Sequence, residues 1–178
     1  LRIYNPENKD DVVYEEGFYI GYRWMDKEDI RSAYPFGFGL TYTEFEWGKA
    51  SLSKSSLRSA QSEVKPDWRS EKAARKSRNV KVRVPVTNVG KRAGAEVVQL
   101  YVRDLISALP RPEKELKAFK KVWLEPGETR IVEMEITEDD LRYFDPQKHS
   151  WVSEKGEFEI HLGISSEDIR QTLNIKLK

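Results

Sequence analysis

The sequence contains no cysteine, only two histidines, and no long apolar run. Without cysteine there are no disulfides, no thiol chemistry and no cysteine-ligated metal, although exported proteins also occur without it and the compartment stays open. His149 and His161 lack the spacing of a metal site, so neither metal nor cofactor is expected. His161 alternates with Ile160 and Leu162, which puts it on the outer face of a strand. No apolar stretch approaches the roughly 18–20 residues that span a bilayer, so no membrane contact is expected. Neither sign of charge prevails. A formal net charge of +1 creates no global field toward nucleic acid or anionic lipid. The opening "LRIYNPENKDD" is neither a signal peptide nor an initiator methionine, and reads as the cut end of a fragment.

Catalytic signatures are also missing. There is no GxSxG, no HExxH and no phosphate-cradling glycine loop, and the "GFG" at Gly37 to Gly39 does not continue as GxGxxG. Glu15 and Glu16 are adjacent, but neighbours in an extended segment point to opposite sides. Glycosidic catalysis needs two carboxyls facing one sugar about 5–9.5 Å apart. With 30 acidic residues in the chain, one adjacent pair carries no weight.

What is present is a β pattern. From about residue 79, "NVKVRVPVTNVG" puts Val80, Val82, Val84 and Val86 on one face, the period-two signature of a half-buried strand. Pro85 lacks a ladder donor, which predicts an edge strand or a bulge there. Asn88, Gly90 and Gly94 supply turn chemistry. "EVVQLYVRD" offers Val98, Leu100 and Val102 as inner positions, and "TRIVEMEI" offers Val132, Met134 and Ile136. Pro126-Gly127 marks a turn. "TEDDLRYFD", with Thr137 and Asp140 in a weak capping box, predicts one helical turn. "GEFEIHLG" and "TLNIKLK" complete a set of short alternating strands. The fold class expected is all-β, an antiparallel β-sandwich.

Two stretches fall outside that sandwich. Residues 1–33 read as extended and polar. Residues 53–78 are rich in Ser, Lys and Arg and read as an exposed basic insertion, with a short helix after Pro66 that pairs Glu71 with Arg75. Arg69, Lys72, Arg75, Lys76, Arg78, Lys81 and Arg83 fall close together, from the insertion into the strand that follows it, but near-neutral overall charge favours a solvated loop over a phosphate-binding face, and no nucleic-acid partner is expected. Of the tryptophans, Trp24, Trp47, Trp123 and Trp151 are expected in core or domain interfaces because they bury so much area. Trp68, inside the polar insertion, is the candidate ligand contact.

The oddest stretch is "YPFGFGLTYTEF", Tyr34 to Phe45. Its rings and glycines carry no catalytic signature and suit a seam between domains: Tyr34, Phe36, Phe38, Tyr42 and Phe45 provide apolar area, Gly37 and Gly39 allow close approach, and Pro35 stiffens the entry. Together with "YEEGFYIGYR" (14–23), "VTNVGKRAGAEVVQLYVRD" (86–104), "RPEKELKAFKKVWLEPGE" (111–128) and "GEFEIHLGISSEDIR" (156–170), it resembles the C-terminal part of glycoside hydrolase family 3 β-glucosidases and β-xylosidases. The resemblance implies that residues 1–40 are the tail of a preceding α/β sandwich domain plus linker. It implies that residues 41–178 form a fibronectin type III-like domain carrying the insertion at about 53–78. It further implies a retaining exo-acting parent enzyme whose catalytic aspartate and acid/base lie upstream. This chain would then be a non-catalytic accessory domain whose partners are those catalytic domains and, through them, an oligo- or polysaccharide substrate. Left alone, its bare rings favour self-association. Family relatives point to a periplasmic or extracellular location. The residues also leave open a second reading, an independent carbohydrate- or protein-binding module.

Overall fold

The computed structural model describes residues 16–57 and 79–178. Two sheets share one core. The first is built on β4 (Val80–Asn88), flanked on one side by β7 (Thr129–Ile136) and on the other by the short strands β1 (Phe45–Trp47) and β2 (Ser51–Leu52). The second runs in the order β3 (Ser56–Leu57), β11 (Ile169–Leu177), β10 (Gly156–Gly163), β5 (Gly94–Asp104) and β6 (Glu115–Leu124). All these pairings are antiparallel except that of β3 with β11. A separate hairpin joins β8 (Tyr143–Asp145) to β9 (Ser150–Val152), and one short helix, α1 (Tyr22–Lys27), precedes the strands.

The alternation read from the sequence is the alternation of the core. Val80, Val82, Val84 and Val86 of β4 face Val98, Leu100 and Val102 of β5, Val132, Met134 and Ile136 of β7, and Phe158, Ile160 and Leu162 of β10 in one buried cluster. Burial of these branched side chains is the main term favouring the folded state. The Pro126-Gly127 turn forms with Gly127 at φ 76° and Glu128 N–H bonded to Glu125 C=O at 2.9 Å, as a turn with Pro then Gly at its centre requires.

Three expectations change. Pro85 is on a central strand, not at an edge or bulge: β4 pairs with β7 along its length. The chain accommodates the missing donor by interrupting the other neighbour. β1 ends opposite Val86, β2 begins opposite Arg83, and only Gly48 N–H, bonded to Pro85 C=O at 2.9 Å, bridges the gap. The single helical turn expected after Thr137 does form, as a 3-10 turn, Asp139–Leu141, in which the Asp140 carboxylate accepts from Thr137 N–H and Oγ1 at 2.7 and 2.8 Å. The N-terminal segment is not extended throughout, since it contains α1. Residues 53–57 belong to the sandwich, where Leu57 is fully buried on β3. The remainder of the basic insertion, residues 58–78, lies outside the described residues.

Asn88 acts less as a turn former than as a rivet. Fully buried at the end of β4, its carboxamide donates to Leu124 C=O (3.0 Å) and Arg92 C=O (2.8 Å) and accepts from Thr43 Oγ1 (2.7 Å) and Gly90 N–H (3.0 Å). Asn88→Ala therefore leaves several buried partners unpaired and is expected to cost about 2–3 kcal/mol. Urea denaturation of the purified chain measures this; a loss below half a kcal/mol contradicts it.

Candidate functional site

The five-stranded sheet turns its inner face to the core, yet part of its outer face is buried as well. Tyr101 is fully buried and Gln99 nearly so; both alternate with the core residues Leu100 and Val102 and so point away from the core. Segment 22–38 supplies their cover. Tyr22 of α1 sets its ring edge-on to Tyr101 (centroids 5.8 Å) and stacks on Phe36 (5.1 Å). Its hydroxyl accepts from Leu116 N–H at 2.8 Å, and Asp26 pairs with Lys114 at 2.6 Å, both side chains mostly buried. Further along, Phe36 C=O accepts from Ser166 N–H at 2.9 Å and Ser32 N–H donates to Glu167 at 3.1 Å. The segment thus crosses the sheet from β6 over β5 to the turn between β10 and β11.

The crossing leads directly into the aromatic loop. Gly37, at φ 83°, is the glycine that this geometry demands: a Cβ there would lie 2.2 Å from the Gln99 amide nitrogen. Its carbonyl accepts from Gln99 Nε2 at 3.4 Å, while that same nitrogen donates to Ile164 C=O at 2.5 Å and Gln99 Oε1 accepts from Tyr101 OH at 2.5 Å. Gly39, by contrast, lies in open space at an ordinary φ. Pro35 is half-buried, and Phe38 tilts against Tyr34 (5.7 Å). Tyr34 is 79% exposed, Leu40 92% and Tyr42 91%, and Phe36 and Phe38 are about half exposed. Phe45 differs from the others in packing on the core.

Beneath the loop is an open cleft of about 980 Å³, bounded by Phe38, Leu40, Tyr42, Val97 and Trp123. Its acids are Glu44, Glu96, Glu167 and Asp168 and its cations Lys121 and Arg170. Glu96 has the perturbed titration: burial pushes its carboxyl above the usual value, against the pull of Val97 N–H and Arg170. It is engaged structurally, accepting from Val97 N–H at 3.1 Å and lying 3.8 Å from Arg170, which also reaches Asp168 and covers the Trp47 ring. Such a cleft suits apolar docking with a polar rim.

The remaining candidates divide clearly. Trp68, Glu15 and the cations Arg69, Lys72, Arg75, Lys76 and Arg78 lie outside the described residues. Lys81 and Arg83 both bind Glu133, at 2.5 and 2.6 Å. His161 is on the outer face as expected and contacts Glu159 at 2.9 Å. Trp47 packs on the core and Trp24 is half-buried, whereas Trp123 and Trp151 are exposed and so lie outside this core. Trp151 meets Phe144 edge-to-face on the β8–β9 hairpin. Among the described residues no three His, Asp or Glu side chains converge as a metal site requires.

The charged residues of the quoted motifs bind one another. Arg111, with 8% of its side chain exposed, spans Asp104 (3.0 Å) and Glu115 (2.5 Å). Burial raises the Asp104 pKa despite Arg111, whereas at Glu115 the neighbouring Lys117 and Arg111 overcome burial and lower it. Sequence reasoning missed Gln99, Tyr101 and Tyr22 as a unit. The signal was "VVQLYV", which does not alternate cleanly: a near-continuous apolar run marks a strand covered on both faces.

Residues 96–166 match the fibronectin type III-like domain family. The chain is 42% identical over 164 residues to thermostable β-glucosidase B of Acetivibrio thermocellus, covering 92% of this chain and 20% of that protein. It is 36% identical to β-glucosidase BoGH3A of Bacteroides ovatus, with the same two shares. Among solved structures, a GH3 β-glucosidase from Bifidobacterium adolescentis superposes with a TM-score of 0.80 at 31% identity, covering 97% of this chain and 23% of that one. β-Glucosidase 3B from Thermotoga neapolitana, solved with α-D-glucose, gives 0.76 at 35%, covering 93% and 20%. The chain spans about a fifth of the length of the curated relatives it matches.

Tyr101 provides a titration test of the covered sheet face. Burial raises its pKa, with Tyr22 and Asp26 adding to the shift. The folded protein therefore holds this proton where the unfolded chain, with a tyrosine pKa of about 10, has lost it. Stability is unaffected below that pH and falls as pH rises beyond it. Denaturation midpoints between pH 8 and 11 are expected to drop above pH 10 for the wild type and to drop less for Tyr101→Phe. Equal slopes refute the assignment.

Proposed function

This chain belongs to the glycoside hydrolase family 3 β-glucosidases, as their C-terminal fibronectin type III-like segment, and on that premise we propose that it is a non-catalytic brace for a catalytic region on which its aromatic loop docks. The whole enzyme would release terminal β-linked glucose or xylose from oligosaccharides. Its bond-breaking carboxylates would belong to the upstream part that this segment supports.

The observation that carries the reading is the exposure of Tyr34, Leu40 and Tyr42 beside the half-exposed Phe36 and Phe38, on a loop whose base is held by Gln99 and Ser166. Large rings held rigidly in water gain nothing for the isolated fold. They gain when a second surface covers them, at about 25 cal/mol per Å² of apolar area removed from water. The cleft acids support a structural role, because Glu96 and Asp168 are engaged with Arg170. In the separated chain the same rings would drive self-association.

Exposed Trp123, on the wall of the cleft, favours a second reading in which the cleft contacts saccharide. Saturable binding of a soluble β-glucan by the isolated chain, lost on Trp123→Ala, would support that alternative.

The brace is tested by making Leu40→Ser with Tyr42→Ser twice, in this chain alone and in the whole enzyme. Alone, the melting temperature is expected to hold, since neither side chain is packed. In the whole enzyme it is expected to fall by about 4 °C or more. An equal change in both settings, or turnover of an aryl β-glucoside by this chain alone, sinks the proposal.

A further inference from the structure

We infer that the outer face of the five-stranded sheet is a built groove whose resident occupant is the chain's own segment Tyr22–Phe38, and that this occupancy sets the position of the aromatic loop. The inference goes beyond the bracing role and holds whether or not the loop meets a catalytic region.

A linker that merely brushed a sheet would touch it through interchangeable surface contacts. Here the groove carries four distinct points of recognition. At one end the backbone N–H of Leu116 faces the segment and donates to the Tyr22 hydroxyl. β6 is an edge strand of its sheet, so backbone groups on its outer side have no ladder partner and are open to such a contact. Beside it Lys114 binds Asp26. In the middle, the Tyr101 ring receives Tyr22, and the Gln99 amide, fixed by Ile164 C=O and Tyr101 OH, turns toward Gly37 C=O. At the far end Ser166 N–H is taken by Phe36 C=O.

Each of these points costs something if the segment leaves. Gln99 and Tyr101 would meet water on a sheet face whose other residues do not hide them, and Ser166, itself buried, would lose its backbone acceptor. Polar groups that are buried only because a partner covers them tie that partner in place. The expected domain boundary at residue 40 therefore cuts through a packed unit. The unit begins by Tyr22, and Gln99 and Tyr22 are positioning residues for the loop: through Gly37 C=O and the Phe36 ring they set where Phe36 and Phe38 stand.

Two amides report directly on occupancy, because the acceptor of each lies in the segment: Leu116 N–H and Ser166 N–H. Hydrogen exchange on the full chain, resolved by residue, should find both protected in the wild type. Tyr22→Phe keeps the ring and removes only the hydroxyl, so exchange should quicken at Leu116 and not at Ser166. Tyr22→Ala should quicken both by about tenfold or more, while Val98 and Leu100 inside β5 keep their protection. Wild-type amides that exchange freely, or a Ser166 amide that ignores Tyr22→Ala, overturn the inference. If Tyr22→Ala also exposes Val98 and Leu100, Asp26→Asn takes its place under the same criterion, since it disturbs only the pair with Lys114. None of these readouts involves a second domain, so their failure is distinct from failure of the brace.

Discussion

A polar side chain on the outside of a β-sandwich normally faces water, and Gln99 does not. Its amide is buried and must be paired, because a carboxamide taken from water without partners costs more than a sheet position returns. Much else in the molecule follows from that requirement. Ile164 C=O and Tyr101 OH satisfy part of the group from within the sandwich, and Gly37 C=O approaches it from the segment that crosses the sheet. Only a residue without a side chain can bring its backbone so near, which is why a glycine at positive φ occurs at position 37. Once Gly37 is fixed, Phe36 and Phe38 on either side are fixed with it.

The sequence motifs that looked like separate signatures turn out to be partners. "YEEGFYIGYR" supplies Tyr22, "YPFGFG" supplies Phe36 and Gly37, "EVVQLYVRD" supplies Gln99, Tyr101 and Asp104, and "RPEKEL" supplies Arg111, Lys114 and Glu115. Tyr22, Phe36 and Gly37 lie on the crossing segment; Gln99, Tyr101 and Asp104 lie on β5, Glu115 opens β6, and Arg111 and Lys114 lie in the connection between those strands. Arg111 then joins the strands: it holds Asp104 of β5 and Glu115 of β6 in one buried network and faces the Tyr143 ring at 5.5 Å. A buried network of this kind adds little net stability compared with apolar packing, but losing one member strands the others. Its chief effect is to hold β5, β6 and the loop between them in one geometry, which is what the crossing segment needs beneath it.

How much of this could be read in advance follows from which interactions leave a periodic trace. Core alternation does: Val80 to Val86, Val132 to Ile136 and Phe158 to Leu162 were assigned to the correct face because burial on one side of a pleated strand repeats every two residues. Covered outer faces leave a weaker trace, the loss of alternation in "VVQLYV". Compensation between strands leaves none. Pro85 reads as an edge residue, and only the tertiary arrangement reveals that the neighbouring strand is broken opposite it. Composition marked the aromatic loop out, but not the glycine that matters, since Gly37 and Gly39 differ in backbone conformation and in what lies against them, neither of which leaves a trace in the sequence. Residue type alone left Trp123 and Trp151 open between the core and a domain interface. They are exposed because β6 and the β8–β9 hairpin offer them no facing layer.

These features bear on the supporting role proposed for the segment. Catalytic groups need a pocket in which carboxyls are free to exchange protons with a substrate and in which solvent is controlled. Here the most perturbed acid of the cleft, Glu96, is held by a backbone donor and an arginine, and the cleft is open to water on one side. The fold also holds a path from α1 to the aromatic loop, and that path ends in exposed rings. A scaffold that fixes apolar groups outside its own core gains nothing by itself, and its cost is offset only when another surface meets those rings. The position of the loop, set by a buried amide beneath it, is the feature on which the proposed docking against a neighbouring domain rests.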